Sequence, residues 1–183
     1  LAAIEAGAKV TLISGPTNID VPDRASVVAV QSADEMLEAV MSSIGDADIF
    51  IGVAAVADYK PVAALNQKIK KSGGNTLTLK LIENQDILKT VANLGDRPFT
   101  VGFAAETENV IDYARTKLTA KNLDMIVANN VADTSIGFNS DHNETTIITR
   151  TLAGTTEAQQ PKMSKENLSR KLIGLIAEQI TEA

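Results

Sequence analysis

Short aliphatic runs separated by amphipathic segments constrain this chain more than any other feature. Lys9–Ser14, Val27–Val30, Asp48–Val53, Phe99–Phe103 and Met125–Ala128 are built mainly from Val, Ile, Leu, Ala and Phe. Strands read this way when both faces are covered, as in a parallel sheet flanked by helices. Helix-like segments lie between them. Ser32 or Asp34 caps one that runs through about Ile44, a second spans Asp86 to about Leu94, and a third spans Val110–Lys121. Parallel neighbours need a crossover, and a helix usually supplies it. The order predicts an α/β fold with a doubly wound, mostly parallel sheet of Rossmann-like form. Thr145–Thr149 alternates as an edge strand paired near Glu157, and Met163–Ile180 is a closing amphipathic helix.

Two segments depart from this rhythm. Leu1–Ala8 reads as the last turns of a helix ending at Gly7, a residue suited to the left-handed cap. Such a helix joins two parallel strands, and no strand precedes it in this sequence. The expectation is one domain over residues 1–183, N-terminally truncated, with its first strand and strand-to-helix loop upstream of Leu1. Residues 60–82 interrupt the core with Pro61, the basic run Lys68-Ile69-Lys70-Lys71, Gly73-Gly74-Asn75 and the alternating Thr76–Leu81. Alternation beside glycines predicts an inserted hairpin or flap.

Composition narrows the function classes. Aromatic residues make up 3% of the chain and its formal net charge is −6, which opposes a nucleic-acid platform. A few local lysines can still cradle phosphates on an acidic protein. With no cysteine and one histidine, thiolate zinc sites, cysteine nucleophiles and multi-histidine metal sites are excluded. No apolar run reaches the ~20 residues that span a bilayer, and no signal-peptide pattern is present. The expected location is the cytoplasm, with no membrane and no nucleic acid as partner.

Ligands of open α/β sheets bind beyond the carboxyl ends of the strands. Asp58 lies there, after Gly52-Val53-Ala54-Ala55-Val56-Ala57. Small residues let a ligand approach the backbone, and a carboxylate can meet a ribose or a phosphate-bound metal. A turn aspartate after a packing segment reads equally well. Lys68, Lys70 and Lys71 suit a polyphosphate or a solvated turn. Asn84-Gln85-Asp86-Ile87 starts a helix, where exposed N–H groups serve an anion, a base or only the cap. Gly102–Thr107 leaves a strand at the same face, with Phe103 either a wall for a base or a core residue. Lys117 and Lys121 share a helix face and reach one ligand, or else solvent. His142, beside the turn Gly137–Asp141, reads as exposed rather than catalytic.

Taken together, Ala54-Ala55-Val56-Ala57-Asp58-Tyr59, Lys68-Ile69-Lys70-Lys71, Asn84–Ile87, Gly102-Phe103-Ala104-Ala105-Glu106-Thr107, Lys117–Asn122 and Gly137–Asp141 resemble the phosphopantothenoylcysteine synthetase family in order and spacing. The resemblance covers nearly the whole chain. It implies activation of 4′-phosphopantothenate by CTP to an acyl-cytidylate, followed by amide formation with L-cysteine. It assigns Lys68 to phosphate charge in catalysis, across a dimer interface, and Asp58 to the nucleotide or its Mg2+. Ala54, Ala55 and Phe103 shape the nucleotide pocket, and Asn84, Gln85, Asp86, Ile87, Lys117 and Lys121 contribute to it. A homodimer is implied, as is a fused or associated decarboxylase half that alone would carry FMN.

The chain departs from the family pattern twice. Gln85 stands where the family often has Pro, a minor change where backbone groups bind. The family's opening strand and its Gly/Ser-rich loop, whose asparagine acts on the acyl-cytidylate, have no match here. The chain is therefore expected to bind CTP incompletely and to fail the full reaction. Two rival readings stand: a non-catalytic nucleotide-binding or regulatory module on the same fold, and a dinucleotide oxidoreductase. Asp58 and Lys68 oppose the first; the second lacks its glycine-rich fingerprint here, which the missing loop could carry, and only the downstream blocks oppose it.

Overall fold

The computed structural model describes residues 1–63, 76–132 and 140–181. Helix α1 (Ala2–Glu5) ends before Gly7, whose φ of 92° is the left-handed conformation expected of that residue. Strands β1 (Thr11–Ser14) and β2 (Ser26–Ala29) pair in parallel. Helix α2 (Ala33–Ser43) starts at a reciprocal cap. The Glu35 amide donates to Ser32 Oγ, and the Gln31 amide donates to the Glu35 carboxylate. Then come β3 (Ile49–Gly52), the short strands β4 (Tyr59–Pro61) and β5 (Leu81–Glu83), α3 (Ile87–Ala92), β6 (Phe99–Glu106), α4 (Val110–Ala120) and β7 (Met125–Asn130). Strands β8 (His142–Thr151) and β9 (Gly154–Ser164) lead into α5 (Lys165–Thr181).

The main sheet has the order β3-β6-β7-β8-β9. β3, β6 and β7 are mutually parallel, while β8 and β9 are added antiparallel. Helices cover both faces, and the period-two pleat assigns side chains between them. Val101, Met125, Val127 and Ile147 pack on Leu172 and Ile176 of α5. Ala104, Ile126, Ala128 and Ile148 pack on Ala92 of α3 and on Ala114 and Leu118 of α4. This is the doubly wound α/β arrangement that the aliphatic runs predict. A third cluster joins Val40 of α2 to Ile87 and Val91 of α3, with Ile13 of β1 and Phe50 of β3 against it.

Several expectations change. Residues 145–149 are not an edge strand, because β8 pairs with β7 on one side and β9 on the other; the Ile148–Glu157 pairing is as expected. Met163 belongs to β9, since the antiparallel ladder runs on to Ser164 before the helix begins. β1 and β2 read as buried, yet β2 is exposed throughout and β1 is half-buried. They form their own two-stranded sheet, hydrogen-bonded to each other and not to β3. At the insertion, the antiparallel stem is β4 with β5, in the register Tyr59–Glu83, Lys60–Ile82 and Pro61–Leu81. Thr76–Lys80, expected in a strand, is exposed without strand structure. Residues 64–75, including Lys68, Lys70 and Lys71, and residues 133–139 lie outside the described residues.

One polar lock fixes the amino ends of the central strands. The Asp124 carboxylate accepts two bonds from the Arg97 guanidinium, at 2.5 and 2.7 Å, and a third from the Thr100 amide at 2.8 Å. Arg150 of β8 donates to the carbonyls of Leu118, in the last turns of α4, and Leu123, in the loop that follows it.

Candidate nucleotide site

The segment after β3 is tied to the segment before α3 by the backbone itself. The Asn84 amide donates to the Asp58 carbonyl at 2.7 Å, and Asn84 Nδ2 donates to the Ala57 carbonyl at 2.8 Å. Val56 enters the core cluster beside Ile87, so the Ala54–Asp58 turn cannot drift from the start of α3. Ala54 and Ala55 remain exposed and line a cleft of about 510 Å³ with Ala57 and Asn84. Its opposite wall is Ser14–Thr17 after β1 and Ser32–Asp34 at the start of α2. Asp58 is exposed, and its carboxylate makes no ion pair among the described residues. Asn84 Oδ1 is sheltered from solvent and has no hydrogen-bond partner among the described residues.

Asp86 connects this cleft to α4. Its Oδ1 accepts the Lys89 amide at 2.9 Å and caps the six-residue α3. Its Oδ2 lies 2.8 Å from Lys121 Nζ. Burial works against the charged form of Asp86, but the bonds and charges of Lys121 and Lys89 together outweigh it. They hold its carboxyl below the usual range. Lys117, one turn before Lys121, reaches Glu106 at the end of β6 at 2.5 Å. The two lysines on one helix face thus meet two different carboxylates.

The structure brings Ala54, Ala55, Asp58, Asn84, Asp86 and Lys121 into one connected region, with Lys117 beside it through Glu106. Gln85 lies in the same turn and donates to Thr90 Oγ1 at 3.4 Å. Ile87 turns away into the core. Phe103 does not point toward Lys117 and Lys121; it packs with the cluster under α5, on the other face of the sheet. Gly102 supplies room for core side chains, not for a ligand. A Cβ there would sit 2.8 Å from both Leu88 Cδ2 and Leu123 Cδ1.

Sequence reasoning passed over three features of the cleft. These are the Ser14–Thr17 wall, Glu106 as the partner of Lys117, and the ion pair between Lys60 of β4 and Asp34 of α2 at 2.5 Å. Lys60 directly follows the Asp58-Tyr59 motif, and Glu106 lies within the Gly102–Thr107 block, so both were within reach. Nothing in the sequence joins Lys60 to Asp34, which stands 26 residues earlier.

No cluster of three or more His, Asp or Glu side chains able to hold a metal ion occurs among the described residues. One free carboxylate at the cleft suits a cation that arrives with phosphates, since Mg2+ commonly binds through one or two carboxylates plus substrate oxygens.

A family model described as the DNA/pantothenate metabolism flavoprotein C-terminal domain matches residues 1–180. The chain belongs to that family. A similar relative is the coenzyme A biosynthesis bifunctional protein CoaBC of Vibrio cholerae, 48% identical over 183 residues, covering 98% of this chain and 44% of the relative. Its counterpart in Vibrio parahaemolyticus is 53% identical over 148 residues, covering 80% of the chain and 37% of the relative. The Bacillus subtilis counterpart is 44% identical over 177 residues, covering 96% and 43%. The chain therefore spans less than half the length of these curated relatives. Among solved structures, the C-terminal domain of a CoaBC protein superposes with a TM-score of 0.80 at 35% identity, covering 99% of this chain and 79% of that one. The Streptococcus pneumoniae family member, at 19% identity and a TM-score of 0.69, shares the fold. No helix among the described residues is long and apolar enough to cross a membrane.

Proposed function

We propose that this chain is the phosphopantothenate–cysteine ligase unit of coenzyme A biosynthesis, using CTP and Mg2+. The observation that carries the reading is the backbone tie between Ala57-Asp58 and Asn84, continued through Asp86 to Lys121. It gathers three separate motif segments, and the Lys117–Glu106 pair joins the Gly102–Thr107 block to them. A homodimer, the cytoplasm and a partner decarboxylase half belong to the same proposal.

A carboxylate is a poor acyl donor until one oxygen carries a good leaving group. In the first step, the carboxylate oxygen of 4′-phosphopantothenate bonds to the α-phosphorus of CTP and pyrophosphate departs. In the second, the cysteine amine bonds to the acyl carbon, loses a proton, and CMP leaves with the carboxylate oxygen. Bound Mg2+ would neutralise phosphate charge. Asp58 would hold that cation. The alanines of the cleft admit the nucleotide backbone closely, and Lys68 would meet the charge that develops on the transferring phosphate.

Two measurements test this, both made on the full-length parent protein and not on this chain alone. CTP with Mg2+ should raise the melting temperature while NADPH does not; the reverse result removes the ligase reading. Release of CMP should require 4′-phosphopantothenate and L-cysteine, and Lys68→Gln should slow it by roughly a hundredfold or more. Near-normal turnover of Lys68→Gln would strip that residue of its role.

A further inference from the structure

The cleft of about 510 Å³ has two charged side chains among the described residues that line it, Lys60 and Asp34. They stand on opposite walls, Lys60 on the β4–β5 stem and Asp34 in the first turn of α2. Lys60 Nζ donates to both oxygens of the Asp34 carboxylate at 2.5 Å, which leaves its third N–H unused among the described residues. The main chain of Lys60 is fixed by pairing with Ile82, whereas its ammonium is held through Asp34. The cap of α2 is built by Ser32 and Glu35 and does not use the Asp34 carboxylate. Asp34 is 64% exposed and Lys60 34%; an ion pair this open adds little to stability and is screened by salt. When Lys60 leaves, Asp34 keeps its hydration and the favourable end of the helix dipole. The rest of the described lining is uncharged, so an anion entering the cleft finds Lys60 as its counter-charge there. Asn84 adds a sheltered Oδ1 with no partner among the described residues, an acceptor suited to a hydroxyl or an amide N–H.

We propose that Lys60 binds an anionic end of the acyl-donor substrate in this cleft, and that Asp34 competes with the substrate for the same ammonium. Binding is an exchange: the Lys60 head group leaves Asp34 for the phosphate or carboxylate of the ligand, while its stem stays anchored in β4. The substrate carries hydroxyl and amide groups between its two anionic ends, which fits a cleft with one cation and one free neutral acceptor. This inference rests on the ligase reading above and adds a residue that holds the acid and a residue that weakens that hold.

The test is the steady-state kinetics of CMP release by the full-length parent protein and its Lys60→Met, Lys60→Arg and Asp34→Asn variants. Lys60→Met should raise the KM for 4′-phosphopantothenate roughly tenfold or more, the scale of one charge-assisted hydrogen bond, and leave the KM for CTP unchanged. Lys60→Arg should retain most of the affinity. Asp34→Asn should lower the KM for 4′-phosphopantothenate by roughly two- to fivefold at low salt, a gain that fades as salt rises. The opposite signs are decisive, because a pair that only braced the cleft would make both variants worse. A KM raised by both, a KM unmoved in Lys60→Met, or an equal effect on CTP overturns the proposal. Inhibition by pantothenate, which has the carboxylate and no phosphate, identifies the end that is bound. Equal inhibition of the parent and Lys60→Met places Lys60 at the phosphate, and weaker inhibition of the variant places it at the carboxylate. If Lys60→Met does not fold, the sign of the Asp34→Asn change decides. A parent that releases no CMP removes the ligase reading; a normal parent matched by Lys60→Met removes this inference alone.

Discussion

Replacing Asp124 with Asn should destabilise the scaffold by about 2–3 kcal/mol without touching the site. Asp124 receives two guanidinium bonds from Arg97 and one amide bond from Thr100. Asparagine can keep the Thr100 bond through its one oxygen. Its NH2 group then faces the guanidinium, so at least one charge-assisted bond is lost and donor meets donor. Hydrogen bonds to charged groups contribute about 1.5–3 kcal/mol each, and unpairing a fully buried ion costs about 3–5 kcal/mol. The two side chains are 27% and 16% exposed, so the pair falls between a surface bridge and a buried one. For a domain of this size each kcal/mol moves the melting temperature by about 2–4 °C, giving a drop of roughly 4–12 °C. Urea unfolding with an unchanged slope measures the loss directly. In a double-mutant cycle, Arg97→Gln with Asp124→Asn should cost little more than either change alone. A loss below about 0.5 kcal/mol, or additive losses, would refute the lock.

Two further outcomes follow from burial and charge. Leu118→Ala empties a position that is 1% exposed between α4 and the sheet, and should cost about 2–5 kcal/mol in the same urea experiment. Asp86 has a carboxyl held below its ordinary value of about 3.9, so its contribution is present above that pH and is lost as pH falls through the folded value. Stability of the unaltered chain should therefore fall more steeply below about pH 4 than that of Asp86→Asn, the two curves converging in acid; parallel curves would contradict the Lys121 pairing.

The sheet and its helices were legible because aliphatic runs and caps are local signals. Ser32, Asp86 and Gly7 act where expected, through bonds that span three or four residues or a single φ angle. The misplaced features depend on distant partners. Thr145–Thr149 alternates like an edge strand, and only the position of β9 shows that β8 has a neighbour on each side. Val27 and Val28 have the composition of a buried strand, yet they remain 43% and 37% exposed. The same limit applies to the site. Asp58 and Asn84 stood out separately, but the bond that joins them crosses 26 residues of chain.

The Gly102–Thr107 block shows why a motif that identifies a family need not be a list of ligand contacts. A strand sends successive side chains to opposite faces, so a contiguous block is divided by the pleat. Gly102 and Ala104 face α3 and α4, where Gly102 makes room for Leu88 and Leu123. Phe103 faces α5. These three positions are constrained by helix packing on a sheet covered on both sides, and a larger residue at Gly102 would collide with the core. Only where the strand ends, at Ala105 and Glu106, does the chain leave both layers and stand beside Lys117. A larger residue at Gly102 therefore tests the packing of α3 and α4 on the sheet, while Glu106 joins the end of β6 to α4 through Lys117.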